Sequence, residues 1–269
     1  GGGSNLRGIE TTAVPVDGGF RVTGSKIFVT NGGLCDVITA LVSTPGAGGN
    51  RQGQSLIAID RRAPGVSVGR EEKKLGLRGS STTPVHFDDV FVPALRVVGD
   101  PGCGVEHVDH ILAWGRTVMA AGCVGSARAA LALTREHTGR RRQFGGPLIK
   151  LSVVRSQVAE LMSDVFMMEA LVVWVAGSAD DATLARRSLS AKVMCSETNW
   201  KTCDAALQLH GGMGYLEETR LPLLLRDARI TRIFEGANDI LRVRVGMAEV
   251  AAPSRRPRLP AEVSAIVRE

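Results

Sequence analysis

Glycine is spread unevenly along this chain, and that unevenness constrains the fold more than any other feature. Of 32 glycines in 269 residues, 18 fall before residue 100, while only Gly177 lies between Gly146 and Gly211. Glycine serves turns and weakens helix interiors, so a turn-rich β part should precede a helical part. From Gly8 to Val98, short β-branched runs alternate with turn signals. TTAVPV and FRVTGSKIFVT flank a turn at Asp17-Gly18-Gly19, and DVITALVS, SLIAIDR, GVSVGREE and TPVHFDDVFVP follow. Strands at this spacing predict a small antiparallel barrel or sandwich. Beyond Gly102 the spacing predicts helices over 104–138, 148–176 and 182–209. In the second, Leu151, Val154, Val158, Leu161, Val165 and Met168 recur every three or four residues, the mark of one buried stripe. A fourth helical region, 222–250, is interrupted at Glu235-Gly236. The expected class is therefore α+β: a β-domain over 1–100, a C-terminal four-helix bundle over 101–250, and a loosely held basic tail over 251–269.

Composition mainly excludes functions. The net charge of +6 comes largely from Arg140, Arg141 and Arg142 and from the tail arginines. No aromatics interleave with them, which argues against a nucleic-acid partner. Five cysteines without a CxxC suggest neither a disulfide framework nor a cysteine zinc site, and point to a reducing compartment. No metal is expected, because His86, His107, His110, His137 and His210 form no HExxH pattern. No uninterrupted run of about 18 apolar residues suggests a membrane span. The GFRVTGSK segment is a near miss to a phosphate loop that reads as strand, and Gly211–Gly214 read as a helix stop. There is no GxSxG.

Glu235 is harder to dismiss. It is a lone carboxylate between Ile233-Phe234 and Gly236-Ala237. Two readings stay open on pattern alone. It is either a neighbour of a helix N-terminus near Asn238, favourable to the helix dipole, or a general base in an apolar pocket, its pKa raised by desolvation.

The segment RDARITRIFEGANDILR, 226–242, resembles the signature of the acyl-CoA dehydrogenase family, with wording closest to its very-long-chain branch. GSKIFVTNGG (24–33), KLGLRGSSTTPVHFDDVFVP (74–93), AAGCVGSARAAL (120–131), RRQFGGPL (141–148) and ALQLHGGMGY (206–215) stand in the family's order and spacing. The resemblance covers about residues 1–250. It implies FAD and the α,β-dehydrogenation of an acyl-CoA thioester to a trans-2-enoyl-CoA, with Glu235 as the α-proton base and hydride passing to the flavin. Some members take the base from the first bundle helix, just before its arginine; here that position is Gly115, beside Arg116. The backbone N–H of Glu235 is implied as an oxyanion donor.

By the same resemblance, Phe28, Val29 and Thr30 lie against the isoalloxazine. Arg141, Gln143 and Phe144 reach the cofactor of a neighbouring subunit, Gln208, Gly211 and Gly212 hold its adenylate end, and Ala237, Asn238 and Asp239 close over it. Ser4, Arg116, Phe234 and Gly236 fall on the substrate side. A homodimer or homotetramer and an electron-transfer flavoprotein as acceptor are implied. Ala237 departs from a usual threonine, Ser152 from a glutamine or histidine, and Ala113 from an acidic residue. The family's N-terminal helical domain has no counterpart here, so a second chain supplying it, and a non-catalytic or partner-completed subunit, stand as the alternative. The expected location is cytoplasmic, or the mitochondrial matrix for a piece of a eukaryotic enzyme.

Overall fold

The computed structural model describes residues 3, 5, 8–45, 52–178 and 180–251; Ser4 and the expected tail beyond Ala251 lie outside the described residues. Seven strands come first: β1 (Thr12–Val16), β2 (Gly19–Thr30), β3 (Val37–Pro45), β4 (Gln52–Asp60), β5 (Val66–Val68), β6 (Thr82–Pro93) and β7 (Val97–Val98). They form one sheet in the order β5-β6-β2-β1-β3-β4-β7. The pairings are antiparallel except between β1 and β3, which run parallel at Thr12 and Ser43. That exception arises because β2 returns antiparallel along one edge of β1, and β3, running opposite to β2, pairs along the other edge. Alternate residues from both halves of the sheet, Val22, Val85 and Val90 on one side and Ile38, Val42 and Ile57 on the other, meet in a single buried cluster. The sheet is therefore curled over its own apolar face, and each fully buried Val or Ile there contributes about 1.5–3 kcal/mol.

Two irregularities interrupt the β2–β6 register, between Val22 and Gly24 and between Lys26 and Val29. Phe28 lies in the second with φ 60°. A bulge re-aims a side chain, and here it turns the Phe28 ring outward, 68% exposed.

The helices are α1 (Gly104–Arg140), α2 (Ser152–Ala176), α3 (Asp181–His210), α4 (Leu221–Ile230) and α5 (Asn238–Ala251). The expected fourth helical region is thus two helices, parted by the turn that carries Glu235. After α1 comes a small hairpin of β8 (Arg142–Gln143) and β9 (Gly146–Pro147). α1 lies along α3, which is possible because most of its buried positions are small, Ala113, Ala120, Cys123, Ala127 and Ala130 among them. Of the expected stripe, Val154, Val158, Leu161, Val165 and Met168 are buried on α2, while Leu151 precedes the helix and is half-buried. α3 starts at Asp180, whose carboxylate accepts the Thr183 N–H at 2.7 Å, satisfying one orphan donor of the first turn. Among the described residues α1 alone is long and apolar enough to cross a membrane by length and composition; its middle is packed into the bundle.

Sheet and bundle meet closely at the start of α1 and at α4. Gly104, at the start of α1, packs where a Cβ would come within 2.7 Å of the β4 backbone. The loop before β6 docks on α4, with the Leu77 N–H donating to the Asp227 carboxylate at 2.6 Å. Gly76 lies so close to α4 that a Cβ would meet the Arg226 carbonyl oxygen at 2.5 Å.

Candidate active site

The chain leaves α4 through a tight turn. The N–H groups of Ile233 and Phe234 both donate back to the Ile230 carbonyl, at 2.8 and 3.1 Å, and the Asn238 N–H donates to the Arg232 carbonyl at 3.1 Å. Between these anchors Glu235 has φ 57° and Gly236 φ 100°. A glutamate in the left-handed region costs about 1–3 kcal/mol and persists only when its surroundings hold it. Two buried cations do so. Arg116 of α1 donates from Nε to the Glu235 carbonyl at 2.9 Å, and Lys192 of α3 donates from Nζ to the Gly236 carbonyl at 2.7 Å.

The Glu235 side chain faces α1 at Gly115, where a Cβ would lie 3.1 Å from Oε2. Oε2 is buried and, among the described residues, accepts no hydrogen bond. Burial pushes the carboxyl above its usual range, while the charges of Arg116 and Lys192 act against that rise. The result is a carboxylate made more basic by desolvation yet still able to ionise.

Lys192 also donates to Asn238 Oδ1 at 2.7 Å. The other end of that carboxamide donates to Ser196 Oγ at 2.9 Å and Glu197 Oε1 at 2.7 Å. Glu197 in turn is paired with Arg232 and Arg242, each at 2.9 Å. The turn is therefore braced from α1, α3 and α5 together. Beside it, Phe234 and Thr231 border a cavity of about 230 Å³ shared with Met119 and Cys123. That is below the range of about 300–1,000 Å³ usual for a small-molecule site.

The other expected site residues form two further groups. Phe28 and Thr30 are exposed at the end of β2, with Val29 between them tucked toward the sheet core. Arg141, Gln143 and Phe144 are exposed on the β8–β9 hairpin, and Gln208, Gly211 and Gly212 are exposed at the end of α3. The two are neighbours, since His137 of α1 stacks on His210 of α3 with ring centroids 4.2 Å apart.

Two of the expected site residues have inward-facing side chains. One is Asn238, expected among the residues that close over the cofactor. Its side chain is buried and its carboxamide is fully engaged by Lys192, Ser196 and Glu197, so it serves the bundle interior. Arg116 was placed on the substrate side; its side chain is 4% exposed and supports the Glu235 carbonyl from within. Sequence reasoning missed Lys192 altogether. The available signal was its place on the buried stripe Ser188, Lys192, Cys195, Asn199 and Cys203, where a lysine is out of character.

Comparison with known proteins agrees with this layout. A family model described as the acyl-CoA dehydrogenase C-terminal domain matches residues 102–249, and one described as the acyl-CoA dehydrogenase middle domain matches residues 1–90. The chain is 35% identical over 253 residues to the human mitochondrial very long-chain specific acyl-CoA dehydrogenase, a match covering 91% of this chain and 39% of that protein. The chain thus spans about two fifths of the length of that relative. Butyryl-CoA dehydrogenase from Megasphaera elsdenii superposes with a TM-score of 0.87 at 32% identity, over 92% of this chain and 65% of that one. An acyl-CoA dehydrogenase from Bacillus anthracis, complexed with FAD, superposes with a TM-score of 0.84 at 28% identity, over 94% of this chain and 46% of that one.

Proposed function

Because the chain belongs to the acyl-CoA dehydrogenase family, we propose that it carries the flavin-binding and proton-abstracting portion of an enzyme that converts an acyl-CoA thioester to the trans-2-enoyl-CoA. The observation that carries this reading is Glu235: a buried carboxylate oxygen without a partner, on a strained turn braced by two cations.

The chemistry follows from what these residues offer. The Glu235 carboxylate takes the α-proton, and desolvation brings its basicity nearer the working pH. That proton is acidic enough to remove only if the thioester oxygen is polarised. The Glu235 N–H is suited to this, since it makes no hydrogen bond within the protein among the described residues. A backbone donor fixed by neighbouring contacts costs no reorganisation as negative charge develops. The lack of a side chain at Gly115 leaves room for the carboxylate.

The surfaces fit FAD. Phe28 presents an apolar ring beside the Thr30 hydroxyl, and Arg141 with Gln143 presents a guanidinium and an amide suited to a diphosphate. FAD, when bound, supplies the hydride acceptor. Phe28 and Thr30 would hold its ring end, and the hairpin its diphosphate end, the latter across a dimer interface.

The test is reconstitution with FAD followed by anaerobic addition of acyl-CoAs of graded length. The expected result is a yellow protein whose absorbance bleaches, and Glu235→Gln should retain FAD without bleaching. Undiminished bleaching in Glu235→Gln would overturn the assignment of the base. Failure of the chain to take up FAD would leave it as a partner-completed subunit.

A further inference from the structure

We propose that Lys192 is a positioning residue for Glu235, holding the 235–238 turn through the Gly236 carbonyl and the Asn238 carboxamide and lending its charge to the adjacent carboxylate. This rests on the reading of Glu235 as the base.

The side chain of Lys192 is fully buried. Burying an ammonium costs several kcal/mol, and an apolar residue of similar volume usually serves packing at least as well. Its position on the buried stripe of α3 would accept a methionine. Nor, among the described residues, is Lys192 half of an ion pair: Nζ donates to a backbone carbonyl and a carboxamide oxygen. The charged and titratable groups around it are Arg116 and Cys123 from α1, Glu197 from α3 and Glu235 from the turn. Cys123 is kept as a neutral thiol by burial, and Glu197 is occupied by Arg232 and Arg242. Of the two carboxylates near Lys192, Glu235 is therefore the one without a partner of its own.

The backbone explains why a cation is placed there. Glu235 and Gly236 both have positive φ, and their carbonyls accept from cations on different helices, Arg116 on one and Lys192 on the other. Two successive peptides, 235–236 and 236–237, are thus each held by a cation. Asn238, the first residue of α5, is tied to the same ammonium, so the far side of the turn cannot relax independently. Losing Lys192 would free the 236–237 peptide, leave the turn held by Arg116 alone on that side, and let the carboxyl drift from Gly115. An error of about 1 Å at a reacting group can cost about a hundredfold in rate.

Lys192→Met removes donor and charge, and Lys192→Gln keeps a donor without the charge. Two readouts apply. On the cofactor-free chain, carbon NMR of labelled glutamate, assigned with Glu235→Gln, follows the Glu235 titration; Lys192→Met and Lys192→Gln should both move its midpoint upward. On the FAD-loaded protein, Lys192→Met should slow the single-turnover bleaching by about tenfold to a hundredfold with little change in the acyl-CoA concentration giving half the maximal rate. Lys192→Gln should fall between it and wild type. A folded Lys192→Met with lower thermal stability but an unmoved Glu235 titration and a wild-type rate has lost only packing, and overturns the proposal. Should Lys192→Met fail to fold by circular dichroism, Lys192→Gln and Asn238→Ala are judged by the same two readouts. The base assignment fails separately, if Glu235→Gln bleaches like wild type. The NMR titration still decides the positioning role if no FAD binds.

Discussion

Glu235 combines a backbone conformation that glutamate rarely adopts with a side chain whose outer oxygen has no partner. Both are unfavourable for folding, which gives a stability signature. Its carboxyl pKa is raised by burial in the folded chain. The stability it contributes is therefore present below the unfolded carboxylate range and lost as pH rises through the folded value. Glu235→Gln should accordingly melt at a higher temperature than wild type at pH 7, and the gap should close near pH 4; a gap that is constant with pH would show that ionisation is not its origin. Gly115→Ala tests the opposing wall. In a helix interior the added methyl favours stability by up to about 1 kcal/mol, but it would sit 3.1 Å from Glu235 Oε2. The expected outcome is an unchanged or raised melting temperature with slower flavin bleaching. Glu235 drew attention in the sequence because it stands alone among apolar residues, but on pattern alone both of its readings stayed open, and the base role came from the resemblance. Arg116 and Lys192 were not legible as its supports, because a hydrogen bond across 119 or 44 residues leaves no local pattern.

At the scale of elements, the decisive joint is the docking of the loop before β6 onto α4. Gly76→Ala would press a methyl group against the Arg226 carbonyl, and overpacking of this kind typically costs about 1–3 kcal/mol. Urea denaturation should show that loss, whereas Gly79→Ala, three residues on with open space around it, should not. Glycine spacing and β-branched runs made the strands legible, and the interruption at Glu235-Gly236 marked where α4 and α5 part. The parallel contact between β1 and β3 was not legible. It depends on which edge of a hairpin the next strand joins, and the side-chain alternation of a strand is the same for either edge. The inward turn of the Asn238 side chain was not legible for a related reason: the first residue of a helix can turn its side chain outward or into the bundle, and only the neighbouring helix decides which.

At the scale of the molecule, α2 carries a band of exposed apolar side chains. Val153, Met162, Phe166, Val173 and Trp174 of α2 are exposed on the bundle, in an array larger than isolated surface hydrophobics would give. The chain studied by itself should therefore enhance the fluorescence of an apolar dye. Replacing Phe166 and Val173 together by serine should reduce that enhancement; an unchanged signal would place the dye elsewhere.

One geometric consequence concerns α1. At 37 residues it is about 56 Å long. It meets β4 near Gly104, the Glu235 turn at Gly115 and Arg116, and the arginine hairpin just beyond Arg140. A helix advances by about 100° per residue, so deleting one residue between Thr117 and His137 would swing the hairpin by that angle about the axis while leaving Glu235 where it is. The residue count of this interval is thus an angular setting as much as a length. Insertions and deletions are tolerable in the connections between elements, but within α1 even one would put its two ends out of phase.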